Sequence, residues 1–197
     1  MNGPVRGVHH LALNTDDMKK TVDFYTNVLG MPLIHAMRVP AGLGTGAGNR
    51  GNPPFENLRH YFFDLGNDST LAFFEIPRGA KPHGDRDDIG AMQHLAVATN
   101  AKGAVELLVR LAKHDIENTG PIETFPGLMS VYFYDPNGIR LEFAWQAVED
   151  GPDIHVIDSV PQSAADALAE LRTLNDNPAW LDRVTAYWRA PVASANR

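Results

Sequence analysis

The sequence predicts an α+β fold built from two paired βαβββ modules that open on a shared cleft, followed by a helical tail. Three observations carry this. His10-Leu11-Ala12-Leu13-Asn14-Thr15 returns nearly letter for letter as His94-Leu95-Ala96-Val97-Ala98-Thr99. Tyr61-Phe62-Phe63-Asp64 is answered by Tyr132-Phe133-Tyr134-Asp135. Around each pair the same order of strand and helix signals recurs, so the chain is an internal duplication with module one at about 7–76 and module two at about 91–146. A module of this kind leaves its sheet half-buried, and two of them pair to cover the remainder.

Each element follows from local pattern. Gly7 to Thr15 reads as a strand, and Asp16 or Asp17 can cap the helix after it, whose Met18, Val22, Tyr25 and Leu29 form one apolar face. Gly30 ends that helix, and Met31 to Val39 is the next strand. The Gly- and Asn-rich stretch from Pro40 to Asn57 is long enough to expect a lid or binding loop, yet it lacks the Gly-Lys-Ser/Thr of a phosphate loop. Arg59 to Asp68 and Thr70 to Glu75 form a hairpin. After a charged linker, Pro77 to Gly90, module two opens with Gln93 to Thr99 and a helix over about Ala101 to Lys113. Its closing hairpin is the best-marked element, with aromatic and β-branched runs flanking Asp135-Pro136-Asn137-Gly138. From Ala147 the character changes, and Ala164–Leu174 and Ala179–Tyr187 read as two helices separated by Asn-Asp-Asn-Pro, with Leu168, Leu171, Leu174, Trp180, Leu181, Val184 and Trp188 available for packing. This segment, 147–197, is a helical extension that bears no catalytic signature.

Composition narrows the function. Seventeen Lys and Arg against twenty-four Asp and Glu leave a net charge of −7, which gives nucleic acid or an anionic membrane no general attraction. No apolar run reaches bilayer length and the N-terminus shows no export signal, so a cytoplasmic location is expected. The chain contains no cysteine, so disulfides, thiolate metal sites and a cysteine nucleophile are excluded, and any metal must be held by His and carboxylate.

Glu142 is the anomaly that points to chemistry. It interrupts an apolar strand between Leu141 and Phe143, where an ionised carboxylate is costly unless paired or metal-bound. Alternation places it with Arg140 and Ala144, opposite Leu141, Phe143 and Trp145. His10 and His94 fall at equivalent positions of the two opening strands, so two imidazoles and one carboxylate are expected to converge from three strands on the cleft. That set leaves neighbouring coordination positions open and is typical of non-haem Fe(II). The residue equivalent to Glu142 in module one is Ala72, so no fourth ligand stands there, while Glu75 faces the other way. His9, His35, His60, His114 and His155 are expected to be surface or packing residues.

These residues resemble the vicinal oxygen chelate superfamily, which includes glyoxalases, type I extradiol dioxygenases, fosfomycin-resistance proteins and bleomycin-binding proteins. His-Leu-Ala at both module starts, Phe24-Tyr25 through Val28-Leu29-Gly30, and Asp135-Pro136-Asn137-Gly138 with Leu141-Glu142 carry the resemblance over about residues 7–146. It implies paired modules forming an open barrel or cleft around a divalent metal, held at His10, His94 and Glu142. Two His with one Glu match the extradiol dioxygenases and the fosfomycin-resistance branch, whereas glyoxalase I uses two Glu. Tyr132 to Gly138 followed by Glu142 fits part of the extradiol signature; its upstream His is absent, since Glu123, Thr124 and Phe125 occupy that region. The resemblance therefore implies a ring-cleaving dioxygenase with Fe(II), or alternatively Mn(II), acting on a catechol-like small molecule and O2, in a protein that forms homo-oligomers. Tyr132 would hydrogen-bond the substrate oxygen, and His83 is the candidate acid–base histidine. The alternatives are a lyase, isomerase or thiol transferase of the same superfamily, and a metal-free binding protein.

Overall fold

The computed structural model describes residues 7–42, 54–147 and 162–186. Most of the expected Gly-rich lid, His155, Tyr187 and Trp188 lie outside the described residues. The chain divides into two compact units, Gly7–Asp153 and a second comprising Met1–Arg6 with Ile154–Arg197.

In the larger unit the first module runs β1 (His10–Thr15), α1 (Met18–Asp23), β2 (Leu33–Arg38), β3 (Arg59–Gly66) and β4 (Ser69–Glu75). The second runs β5 (Leu95–Ala98), α2 (Ala101–Lys113), β6 (Asn118–Phe125), β7 (Leu128–Tyr134) and β8 (Arg140–Gln146). Each forms a four-stranded sheet, ordered β1-β4-β3-β2 and β5-β8-β7-β6, and neither closes into a barrel. The opening strand of each module lies parallel to its last strand, while the other pairings are antiparallel. The duplication is thus reproduced strand by strand.

Local chemistry sets the ends of the elements. Asp17 accepts from the Lys20 amide at 3.0 Å and caps α1. The helix then continues through a π-helical segment, Phe24–Val28, before Gly30 adopts a φ of 74°. Glu75 accepts from the Met18 amide at 2.9 Å and pairs with Arg59, so it serves the start of α1. In module one the hairpin turns through Asn67 and Asp68, both at positive φ. In module two Asp135 holds the turn by accepting from the amides of Asn137 and Ile139, both at 2.8 Å, and Gly138 takes a φ of 79°.

A single core unites the modules. Met18, Phe24, Tyr25 and Val28 join Phe63, Leu71 and Phe73 of the first sheet, α2 residues Leu107 and Leu111, and Phe133, Leu141, Phe143 and Trp145 of the second. Polar bonds lock the same boundary. The Tyr25 hydroxyl donates to Asp135 Oδ2 at 3.1 Å, and Thr15 donates to Asn137 Oδ1 at 2.7 Å. Burial pushes the Asp135 carboxyl upward against the opposing pull of its donors, and burial with Asp135 beside it drives the Tyr25 phenol well above its usual range. Tyr25→Phe is expected to lower stability by about 1–3 kcal/mol, because it strips one donor from a buried acceptor without opening a cavity. A urea denaturation midpoint shifted down at unchanged slope is the measurement.

In the smaller unit, α3 (Ala164–Leu174) is capped by Ser163 and α4 (Pro178–Val184) by Asn177, with Pro178 in its first turn. Leu181 is buried as expected, but Leu174 and Val184 are exposed; Ala167 and Thr185 are buried instead. No helix among the described residues is long and apolar enough to cross a membrane.

Candidate metal centre

Glu142 sits in the middle of β8 with Leu141 and Phe143 turned into the core, and only 7% of it is exposed. Its two oxygens are both engaged. Ser130 Oγ donates to Oε1 at 2.6 Å, and His94 Nε2 stands 2.9 Å from Oε2. His94 immediately precedes β5, and the parallel pairing of Ala96 with Glu142 explains how the imidazole reaches the carboxylate. The other ring nitrogen, Nδ1, is hydrogen-bonded to Gln93 Oε1. An amide oxygen can only accept, so Nδ1 is the donor in that bond, which leaves Nε2 to face Glu142.

Tyr132 lies directly across from Glu142 in the β7–β8 ladder. Its ring meets His94 edge to face at 6.1 Å, and the Arg140 guanidinium lies 4.2 Å from its centroid. Burial raises the phenol's pKa, as does its hydrogen bond to Glu142, so the hydroxyl stays protonated as a donor.

His10 stands apart from this group. It lies on the first sheet, its Nδ1 is 2.8 Å from that of His9, and its ring packs edge to face on Phe62. Nearby His60 stacks on Phe74 at 3.7 Å, and burial lowers its pKa. The structure therefore brings His94, Glu142 and Tyr132 together but leaves the expected third ligand elsewhere: among the described residues no three His or carboxylate side chains are grouped closely enough to hold a metal ion. Glu142 belongs to the second sheet, into which His94 leads, whereas His10 lies on the first. Register supports the module equivalence nonetheless, since Ala12 pairs with Ala72 as Ala96 pairs with Glu142. Ala72 is wholly buried and offers no ligand.

His83 is held at the turn end of the hairpin, with Nδ1 2.9 Å from the Asn137 carbonyl oxygen, and it makes no bond to His94 or Glu142. Two contributors went unread in the sequence. Ser130 shares a strand face with Tyr132 by simple alternation, which was signal enough to find it. Gln93 adjoins His94, but an exposed amide beside a histidine has no distinctive pattern.

The spacing of the His94–Glu142 pair suits a divalent ion. Two ligands each about 2.1 Å from one ion and at right angles to it stand about 3 Å apart. The 2.9 Å between His94 Nε2 and Glu142 Oε2 matches that spacing. A proton or a cation between Nε2 and Oε2 would satisfy both atoms at this distance. The donor set fits two positions of a metal site.

Comparison with known proteins agrees with the fold. The family model described as the Glyoxalase/Bleomycin resistance protein/Dioxygenase superfamily matches residues 7–143. "Putative ring-cleaving dioxygenase MhqA" of Bacillus subtilis is 34% identical over 89 residues, 45% of this chain, and the match spans only 25% of that relative's length. Lactoylglutathione lyase of Neisseria meningitidis is 27% identical over 136 residues, 68% of this chain and 86% of the lyase. Among solved structures, a glyoxalase/dioxygenase from Nostoc punctiforme superposes with a TM-score of 0.55 at 25% identity, covering 75% of this chain and 96% of that one. FosX, a fosfomycin resistance protein from Listeria monocytogenes, superposes with a TM-score of 0.51 at 18% identity, covering 73% and 96%. The chain belongs to the glyoxalase/bleomycin resistance protein/dioxygenase superfamily, also called the vicinal oxygen chelate superfamily.

Proposed function

We propose that this protein is a metal-dependent, ring-cleaving dioxygenase of the extradiol type, with His94 and Glu142 as two ligands and His10 as the third. The observation that carries the reading is the ligand count. A His–Glu pair with a buried carboxylate in one module, and alanine at the carboxylate's counterpart in the other, supports two His and one Glu and disfavours a site with two carboxylates. The ring-cleaving relative's name adds weight to it.

Because one chain keeps His10 apart from the pair, the reading includes a homo-oligomer in which a second copy contributes its His10. Open surface supports this. His10, Ala12 and Asn14 are exposed along β1, and the edge strand β2 carries exposed Leu33, Ile34 and Met37.

Fe(II), or Mn(II) in its place, would supply a Lewis-acidic centre with open positions for adjacent substrate oxygens and O2. The chain's own residues do the remaining work. Ser130 and Gln93 fix Glu142 and His94 in orientation. Tyr132, kept protonated, would turn its one donor from Glu142 to the substrate oxygen and restrain its position. His83 has no bond to this group, so the reading assigns it no proton-transfer step.

Anaerobic metal analysis with oxygen uptake on a panel of catechols tests the proposal: iron with oxygen consumption supports it, and absence of uptake on every catechol overturns it. Tyr132→Phe is expected to retain metal while lowering kcat/KM by about tenfold to a thousandfold. A second reading, a lyase acting on a glutathione adduct, is favoured by the lyase alignment, which runs over 86% of that relative. Metal with no oxygen uptake, together with turnover of a thiol adduct, selects it.

A further inference from the structure

Between the end of β1, the linker from Lys81 to Arg86 and the β7–β8 turn lies a cavity of about 450 Å³. Neither the His94–Glu142 pair nor His10 lines it. Arg86 stands in its wall with 36% of its side chain exposed, and its shielded Nη1 has no hydrogen-bond partner among the described residues. Its neighbour on the chain, Asp87, is engaged only through Nε at 3.6 Å and is largely exposed. The exposed part of the guanidinium keeps its positive charge and offers forked N–H donors to an anion in the cavity.

The surroundings suit an anion. Lys81, Arg140 and His83 line the same cavity. Two carboxylates do as well, but both are already served: Asp16 lies 3.9 Å from Arg78, and Asp85 accepts from the Asp87 amide at 2.9 Å. A cavity of this volume holds a small metabolite, and a forked guanidinium recognises planar or tetrahedral oxyanions through paired bonds.

We propose that this cavity binds a small molecule bearing a carboxylate or phosphate group, anchored by Arg86 with Lys81 and Arg140 beside it. The site is separate from the metal centre and does not depend on the reading of that centre. Arg140 connects the two, since its guanidinium also lies over Tyr132 and donates to Gln93 Oε1 at 3.4 Å.

Calorimetric titration of the full chain at low ionic strength, with inorganic phosphate in one arm and acetate in the other, tests it. Saturable binding of either anion with one site per chain is expected, and the arm that binds names the chemistry. Arg86→Gln should weaken it about tenfold or more, and Arg86→Lys, which keeps the charge without the fork, should fall between. Lys19→Gln, which removes the same charge from an exposed helix face, should leave binding unchanged. No binding of either anion, or equal weakening by Lys19→Gln, overturns the proposal. Matching thermal melts for the Arg86 variants and wild type show that the comparison is between folded proteins.

Discussion

Glu142→Ala is expected to reduce metal affinity about a hundredfold or more and to take turnover to background, while the chain remains folded. The variant removes a carboxylate whose one oxygen meets His94 Nε2 at 2.9 Å and whose other accepts from Ser130 at 2.6 Å. Two effects on stability oppose each other. Truncation leaves the Ser130 hydroxyl and His94 without their partner, costing about 1–3 kcal/mol, but it also removes the desolvation penalty of a buried carboxylate. Glu142→Gln keeps the acceptor for Ser130 and should therefore fold as well as wild type, yet lose metal as completely. Elemental analysis after dialysis, beside a urea denaturation curve, reads both. Wild-type metal stoichiometry in Glu142→Ala would make this residue structural and sink the proposed centre.

Mixing two dead variants should restore activity. His10→Ala and Glu142→Ala are each expected to be inactive alone. If His10 of one copy completes the His94–Glu142 pair of another, a dimer containing one chain of each variant has one doubly damaged site and one intact site. Random assortment after co-refolding makes half the dimers mixed, so about a quarter of wild-type activity should return. Assembly of all three ligands within one chain predicts no recovery at all, so this experiment separates the oligomer from the ligand assignment. His10→Ala by itself tests the ligand: retention of full metal affinity would remove His10 from the set.

Much of this protein was legible in the residues. The duplication showed because backbone pairing and burial act locally on a strand: the same alternation that predicted β1 and β5 produced them, and the helix expected over Ala101–Lys113 has those bounds. The Asp135-Pro136-Asn137-Gly138 turn was equally plain, because Pro and Gly restrict dihedral angles whatever surrounds them. Glu142 stood out because a carboxylate in an apolar strand requires a partner, and Ala72 was matched to it by alignment before register paired them identically. The helix after β1 was less faithful, since its passage into a π-helical segment answers to the packing of Phe24 and Tyr25 against both sheets.

Sequence by itself thus determined the elements, their repetition and the residue types able to do chemistry, all of which depend on interactions between near neighbours in the chain. Tertiary structure alone decided which of those residues meet. His94 reaches Glu142 because β5 lies parallel beside β8, and His10 does not because β1 pairs with β4 in the other sheet. Glu75 is drawn to the α1 terminus and Arg59, His83 to a turn carbonyl, and Arg86 into a cavity wall, each by partners 16 to 57 residues away or, for Arg86, by a surface assembled from three separate segments. Contacts of that range arise from how whole sheets pack over a common core, and no local pattern of hydrophobicity or charge encodes them.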